Sequence, residues 1–236
     1  VDERLRSLER QAEHDPEAAA RLLLERVRRG DLDEARLSLA AHLEHEPARR
    51  AVGEAVPAPP PAPCADVEDL GDWLGSLAAF GPVVLVRAFA SASRDSLPAF
   101  AALAPDDARP AAALTAAEAW CDAPSLETAR AARAGGKLAE LAAQDVGRKA
   151  DFRADWAVDT PDLYSAYHTA FLCKHTADAA FVLEPARVPT KGPGPEEGLA
   201  RTIDAFVRTL ARVGAPVERV REVTRVALLR WALKDV

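Results

Sequence analysis

PDLYSAYHTAFLCKHTADAAFV, residues Pro161 to Val182, is the stretch that decides how the rest of the chain is read. Its length predicts one helix of about six turns. Asp159 or Thr160 can cap its start, and Pro161 suits the first helical position. The interior turns are nearly free of charge, and Lys174 is the only basic residue. A helix that is apolar or aromatic on most sides is normally buried among other helices. This one is therefore expected to be the central helix of the main domain. Tyr164, His168, Phe171 and His175 stand at i, i+4, i+7 and i+11 and so share one face.

The flanking sequence reads as more helix. Toward the C-terminus, Leu199, Ile203, Phe206, Val207 and Leu210 form an apolar stripe, with Asp204 and Arg208 paired at i, i+4 on the opposite face. Gly214 and Pro216 separate it from a last helix whose buried stripe is expected at Val220, Val223, Ala227, Leu228 and Trp231. Toward the N-terminus, Pro124 to Val146 predicts a helix with a kink or break at Gly135-Gly136. Asp106 to Cys121 predicts another, with Pro110 in its first turn. Val83 to Val86 has the apolar run of a short strand, but no partner strand is visible and a buried helix is the better reading. Pro98 and Pro105 are expected to divide the next section into short pieces. Asp66 to Phe80 predicts a helix carrying Val67, Leu70, Trp73, Leu74 and Leu77 on one side.

Residues 1–54 read as a small module of four helices with short turns, Pro16 opening the second and Gly30 closing it. In the third, Leu32, Ala35, Leu39 and Leu43 are expected near one face, and His42 and His45 are expected as a capping and surface pair. Val56 to Pro63 holds five prolines in eight residues, which excludes helix and favours an extended spacer. The fold class expected is all-α: helical module 1–54, proline-rich linker 55–65, and a larger multi-helix bundle over 66–236. Glu184 to Glu197, with four prolines and two glycines, is the candidate exposed loop.

Composition narrows the function classes. The chain has 236 residues, 49% of them apolar and only 6% aromatic, and alanine suits close helix contacts. Only five of the 30 basic residues are lysine, a usage typical of a GC-rich bacterial genome. The formal net charge of −7 argues against nucleic acid and against an anionic membrane surface, and its sign favours a basic protein partner. Charges interrupt every apolar stretch well before the roughly 18 residues a span requires. The first residues read as the edge of an amphipathic helix rather than a signal peptide, and the absence of methionine, the initiator included, is compatible with a chain that begins inside a longer protein. Cys64, Cys121 and Cys173 are odd in number and widely spaced, so neither a disulfide framework nor a zinc pattern is expected, and a reducing cytoplasm is the simplest home.

The chemistry-bearing candidates are few. Tyr164, His168, Phe171 and His175 read first as a core stripe with polar tips. Read otherwise, they line a pocket that contacts a ligand or partner or presents a general base. Arg187 and Lys191, in the loop, are candidate partner contacts. His168 lies two turns from His175, too far for ordinary co-ligation, so no metal site is expected. Cys173 and His175 point about 200° apart on one helix and cannot form a thiolate–imidazole pair. Gly192 to Gly198 follows no strand and its prolines remove amide donors, so it is not a nucleotide loop. No cofactor and no catalytic residue is assigned.

Asp106 to Trp120, with Arg109-Pro110, an alanine run and Ala119-Trp120, resembles a segment of the all-helical immunity proteins of bacterial toxin systems. The corresponding later helix is Asp162 to Phe181, with Ala166, His168 and His175. The likeness covers about a third of the chain, and the first module and proline linker depart from it. It implies binding and neutralising a protein partner and brings no catalytic residues. The function expected is thus a cytoplasmic bacterial protein-binding module, immunity-like or regulatory, in a conflict or defence system. The alternatives are a small-ligand binder or enzyme using the Tyr164/His168/His175 face, and a structural subunit of a larger assembly.

Overall fold

A computed structural model describes residues 3–53, 64–149, 160–185 and 195–233. Among these, the chain forms eleven α-helices, one short 3-10 turn and no strand, so the protein is all-α. It divides into two compact units, Val1–Pro61 with Arg225–Val236, and Ala62–Thr224. The prolines of the expected linker lie outside the described residues.

The first unit contains α1 (Glu3–Ala12), α2 (Pro16–Arg29), α3 (Glu34–His42) and α4 (Glu46–Val52). Each start after the first has its own cap. Asp15 accepts from the Glu17 amide at 2.9 Å, Asp33 from Ala35 at 2.6 Å, and His45 Nδ1 from Ala48 at 3.3 Å. Such caps satisfy amides that the helix itself leaves unpaired. Gly30 ends α2 at φ 77°, a left-handed conformation that glycine adopts without strain. Leu22, Leu23, Leu32, Leu37, Leu39 and Leu43 are buried. Two details of the sequence reading change. Ala35 is exposed and Leu37 takes the inward place, and His42 is buried rather than at the surface.

The second unit begins with α5 (Val67–Leu77), capped by Asp66, and continues with α6 (Pro82–Leu103), α7 (Arg109–Asp122) and α8 (Leu126–Gly147). It then contains α9 (Pro161–Val182), α10 (Pro195–Val213) and the first part of α11 (Val217–Ala232). α9 packs against α6, α7, α8 and α10 and is the central helix. Thr160 precedes it but makes no side-chain cap, and Asp159 lies outside the described residues. Its partners come close because both sides are small. Ala166, Ala170, Ala177 and Ala180 on α9 and Ala132, Ala139, Ala142 and Ala143 on α8 are fully buried.

Two proline and glycine expectations fail, each for a packing reason. Pro98 does not divide the section but sits inside the 22-residue α6. Burial of Phe89, Ala92, Ser93 and Phe100 along that helix outweighs the roughly 3 kcal/mol a helix-interior proline costs. Gly135 and Gly136 do not break α8, which runs unbroken from Leu126 to Gly147. A Cβ on Gly135 would stand 3.1 Å from Ala113 Cα of α7, and one on Gly136 would stand 3.3 Å from Ala177 Cβ of α9. The pair is where α8 touches both neighbours. Val83–Val86 are helical and Asp204 and Arg208 pair at 2.8 Å, as read from the sequence. The expected exposed loop is shorter than read: Glu184 is buried, and Pro195–Glu197 belong to α10. Phe89 stacks on Phe206 at 4.0 Å between centroids, a contact the sequence reading did not make.

Residues 225–236 group with the first unit, a placement the sequence reading did not make. Within that unit Leu228 and Ala232 are buried, Arg225 donates to the Leu43 carbonyl at 3.4 Å, and Arg36 lies 4.7 Å over the Trp231 ring. In the second unit, Arg219 at the start of α11 grips Asp95 of α6 through two bonds of 2.9 Å each.

Candidate functional site

The face of α9 singled out by its spacing is a ladder of rings. Tyr164 meets His168 edge-on at 4.4 Å, and Tyr167 also meets it edge-on at 5.0 Å. Tyr167 continues to Phe171 at 4.9 Å, and Phe171 to His175 at 6.2 Å. Tyr167, one residue off the predicted stripe, links His168 to Phe171. Tyr167 and Phe171 also pack against buried Phe100, Ala142, Ala143, Val146, Ala166 and Ala170. His168 is buried, and His175 is partly so.

Burial holds both imidazoles neutral. It pushes the His168 pKa down to about 4, helped by the positive charge of Arg212 and by His175. It does the same for His175, to about 4, with Lys174 adding to the shift and Asp178 opposing it. A base so weak removes protons poorly at neutral pH. Lys174 is paired with Asp178 at 2.7 Å. No group of three metal-ligating side chains occurs among the described residues. Arg187 and Lys191 lie outside the described residues.

The thiols are equally sequestered. Burial pushes Cys173 and Cys121 up to about 12 and raises Cys64 as well, and all three are buried and free. A thiol so shifted is not a thiolate nucleophile. Buried hydroxyls pair internally: Ser93 of α6 with Thr176 of α9 at 2.9 Å, and Thr176 with the Leu172 carbonyl at 3.0 Å. Trp120 donates its indole N–H to the buried Glu184 at 2.7 Å. Sequence reasoning missed that bond, because no pattern links positions so far apart.

Arg109, the residue before Pro110 in the alanine-rich segment, is a clasp. It donates to Asp107 at 2.9 and 2.6 Å and to Asp145 at 2.5 Å, joining the start of α7 to the end of α8. Its side-chain bonds hold Asp107 below the usual carboxylate range. Asp107 and Asp145 also border a shallow cavity of about 440 Å³ with Leu103, Pro105, Val146 and Lys149. Arg109 and Arg148 together already pair its two carboxylates, Asp107 and Asp145.

A different surface stands out on α8. Leu138 and Leu141 are 49% and 46% exposed, the large apolar side chains left open among the described residues. They continue a stripe begun by exposed Ala131 and Ala134, at i, i+3, i+7 and i+10. The buried face of the same helix is alanine and glycine apart from Val146 near its end. On an amphipathic helix leucine is ordinarily the inward residue. Here the inward face must be small, because α7 and α9 approach it closely.

No helix among the described residues is long and apolar enough to cross a membrane. Comparison of the chain with models of known protein families, with curated proteins and with solved structures found no match.

Proposed function

We propose that this chain is a protein-binding module of the bacterial cytoplasm, an immunity-like or regulatory partner in a conflict or defence system. The observation that carries the reading is the open pair Leu138 and Leu141 on the outer face of α8. Adjacent exposed apolar residues on a helix mark a surface that another molecule covers. The ring ladder of α9 supports the same reading from the other side. Its histidines are packed against aromatic rings, desolvated and neutral, which suits a core better than a reacting site. The resemblance of Asp106–Trp120 to immunity proteins adds the biological setting.

The test is affinity capture from a GC-rich bacterium's lysate with the parent chain and with Leu138→Glu/Leu141→Glu, followed by mass spectrometry. A protein retained by the parent and lost from the double variant is expected. Identical sets from both baits would contradict the reading.

A further inference from the structure

The chain as a whole is acidic, yet the open stripe of α8 is bordered by basic residues. Arg130 and Lys137, seven residues apart, flank it on one side, and both are exposed. Neither forms an ion pair among the described residues. Arg133, between them in sequence, is exposed and lies 4.4 Å over the Phe181 ring. From Arg130 to Leu138 the helix carries no acidic residue. Glu127 precedes that run, and Glu140 and Asp145 follow it; of these Asp145 is bound by Arg109 and Arg148, so the basic surplus is confined to the Arg130–Lys137 flank.

We infer that the outer face of α8 binds an amphipathic helix of a partner protein that carries acidic residues beside its apolar stripe. This rests on the protein-binding reading above and names the chemistry of the partner. Ala131 to Leu141 spans about 15 Å of helix axis, the reach of a partner helix of three to four turns. The alanines leave shallow positions where larger partner side chains can seat, and the two leucines enter between the partner's turns. The basic row then meets the partner's flank, where acidic groups attract and basic ones repel. A second copy of this chain fits poorly. In an antiparallel pair about the middle of the stripe, Lys137 would oppose its own counterpart near the two-fold axis.

The net charge of −7 points to a basic partner by long-range steering, and the local surface points the other way. At physiological salt the field of distant charges is screened beyond about 8 Å, so residues bordering the contact decide the preference.

The probes are three fluorescein-labelled helical peptides of 16–18 residues, designed with one leucine stripe and with glutamate, lysine or glutamine on the flanks. Their binding to the full chain is measured by anisotropy at physiological salt. The glutamate peptide is expected to bind at least tenfold tighter than the lysine peptide and to weaken as salt rises. Leu138→Glu should abolish binding, and Arg130→Glu/Lys137→Glu should reverse the order of the two charged peptides. Because both basic residues are exposed, the charge-reversal variant serves even if the leucine variant folds poorly. Equal or stronger binding of the lysine peptide to the parent would overturn the inference. So would an unchanged order in the charge-reversal variant, or a dimer of the chain that excludes all three peptides. A lysate protein lost from Leu138→Glu/Leu141→Glu, with no acidic preference in the peptides, would leave the protein-binding reading standing and remove this one.

Discussion

His168 and His175 enter the fold as neutral groups, and their pKa values near 4 carry a consequence for acid stability. In the unfolded chain each titrates near the ordinary 6.5. Above that pH neither state binds the proton, so stability is full. Between about 6.5 and 4 the unfolded state binds more protons, and stability falls as pH falls. His45, also lowered by burial, has the same sign. Asp107 has a depressed carboxylate pKa, and its contribution is lost at lower pH, through and below the usual carboxylate range. The expected outcome is a urea midpoint that drops steadily from pH 6.5 to 4, with part of the drop carried by His168. His168→Gln should flatten that slope, and a variant with the parent's slope would contradict the account. The spacing of Tyr164, His168, Phe171 and His175 was legible in the sequence. Tyr167 between the rings was not, because its contact depends on ring orientation rather than on which face it occupies.

Gly135 and Gly136 show why helix positions were readable while helix faces were only partly so. The limits of α9 follow from Pro161 and the run after it, and the helical reading of Val83–Val86 from the missing partner strand. The continuity of α8 did not follow, because a glycine pair weakens an isolated helix and only the neighbours reveal its use. Gly135→Ala tests that use. Alanine gains about 1 kcal/mol in helix propensity, but its Cβ would meet the Ala113 backbone at 3.1 Å. Overpacking of this kind costs about 1–3 kcal/mol. A lower melting temperature than the parent is therefore expected, and a higher one would show that α7 yields. The same geometry explains why the α8 surface was missed: close approach demands alanine and glycine inside, which leaves Leu138 and Leu141 outside.

At the scale of the molecule, α11 contributes to both units, Val220 and Thr224 to the second and Leu228 and Ala232 to the first. Its periodicity marked a buried stripe but could not say in which core each residue lies, since position along the chain carries no such information. A chain ending at Thr224 should therefore lose hydrogen-exchange protection at Leu22, Leu37 and Leu39, and unchanged protection would contradict the grouping. The central claim is that α9 is core and the outer face of α8 is a contact surface. Equilibrium urea unfolding at pH 7 of the parent, Phe171→Ala, His168→Ala and Leu138→Glu tests it most directly. The account predicts losses of about 2–3 kcal/mol for the half-buried Phe171 and about 1–3 kcal/mol for His168. For Leu138→Glu it predicts a change within about 0.5 kcal/mol. A His168→Ala chain as stable as the parent, together with a Leu138→Glu chain that loses as much as Phe171→Ala, would contradict it.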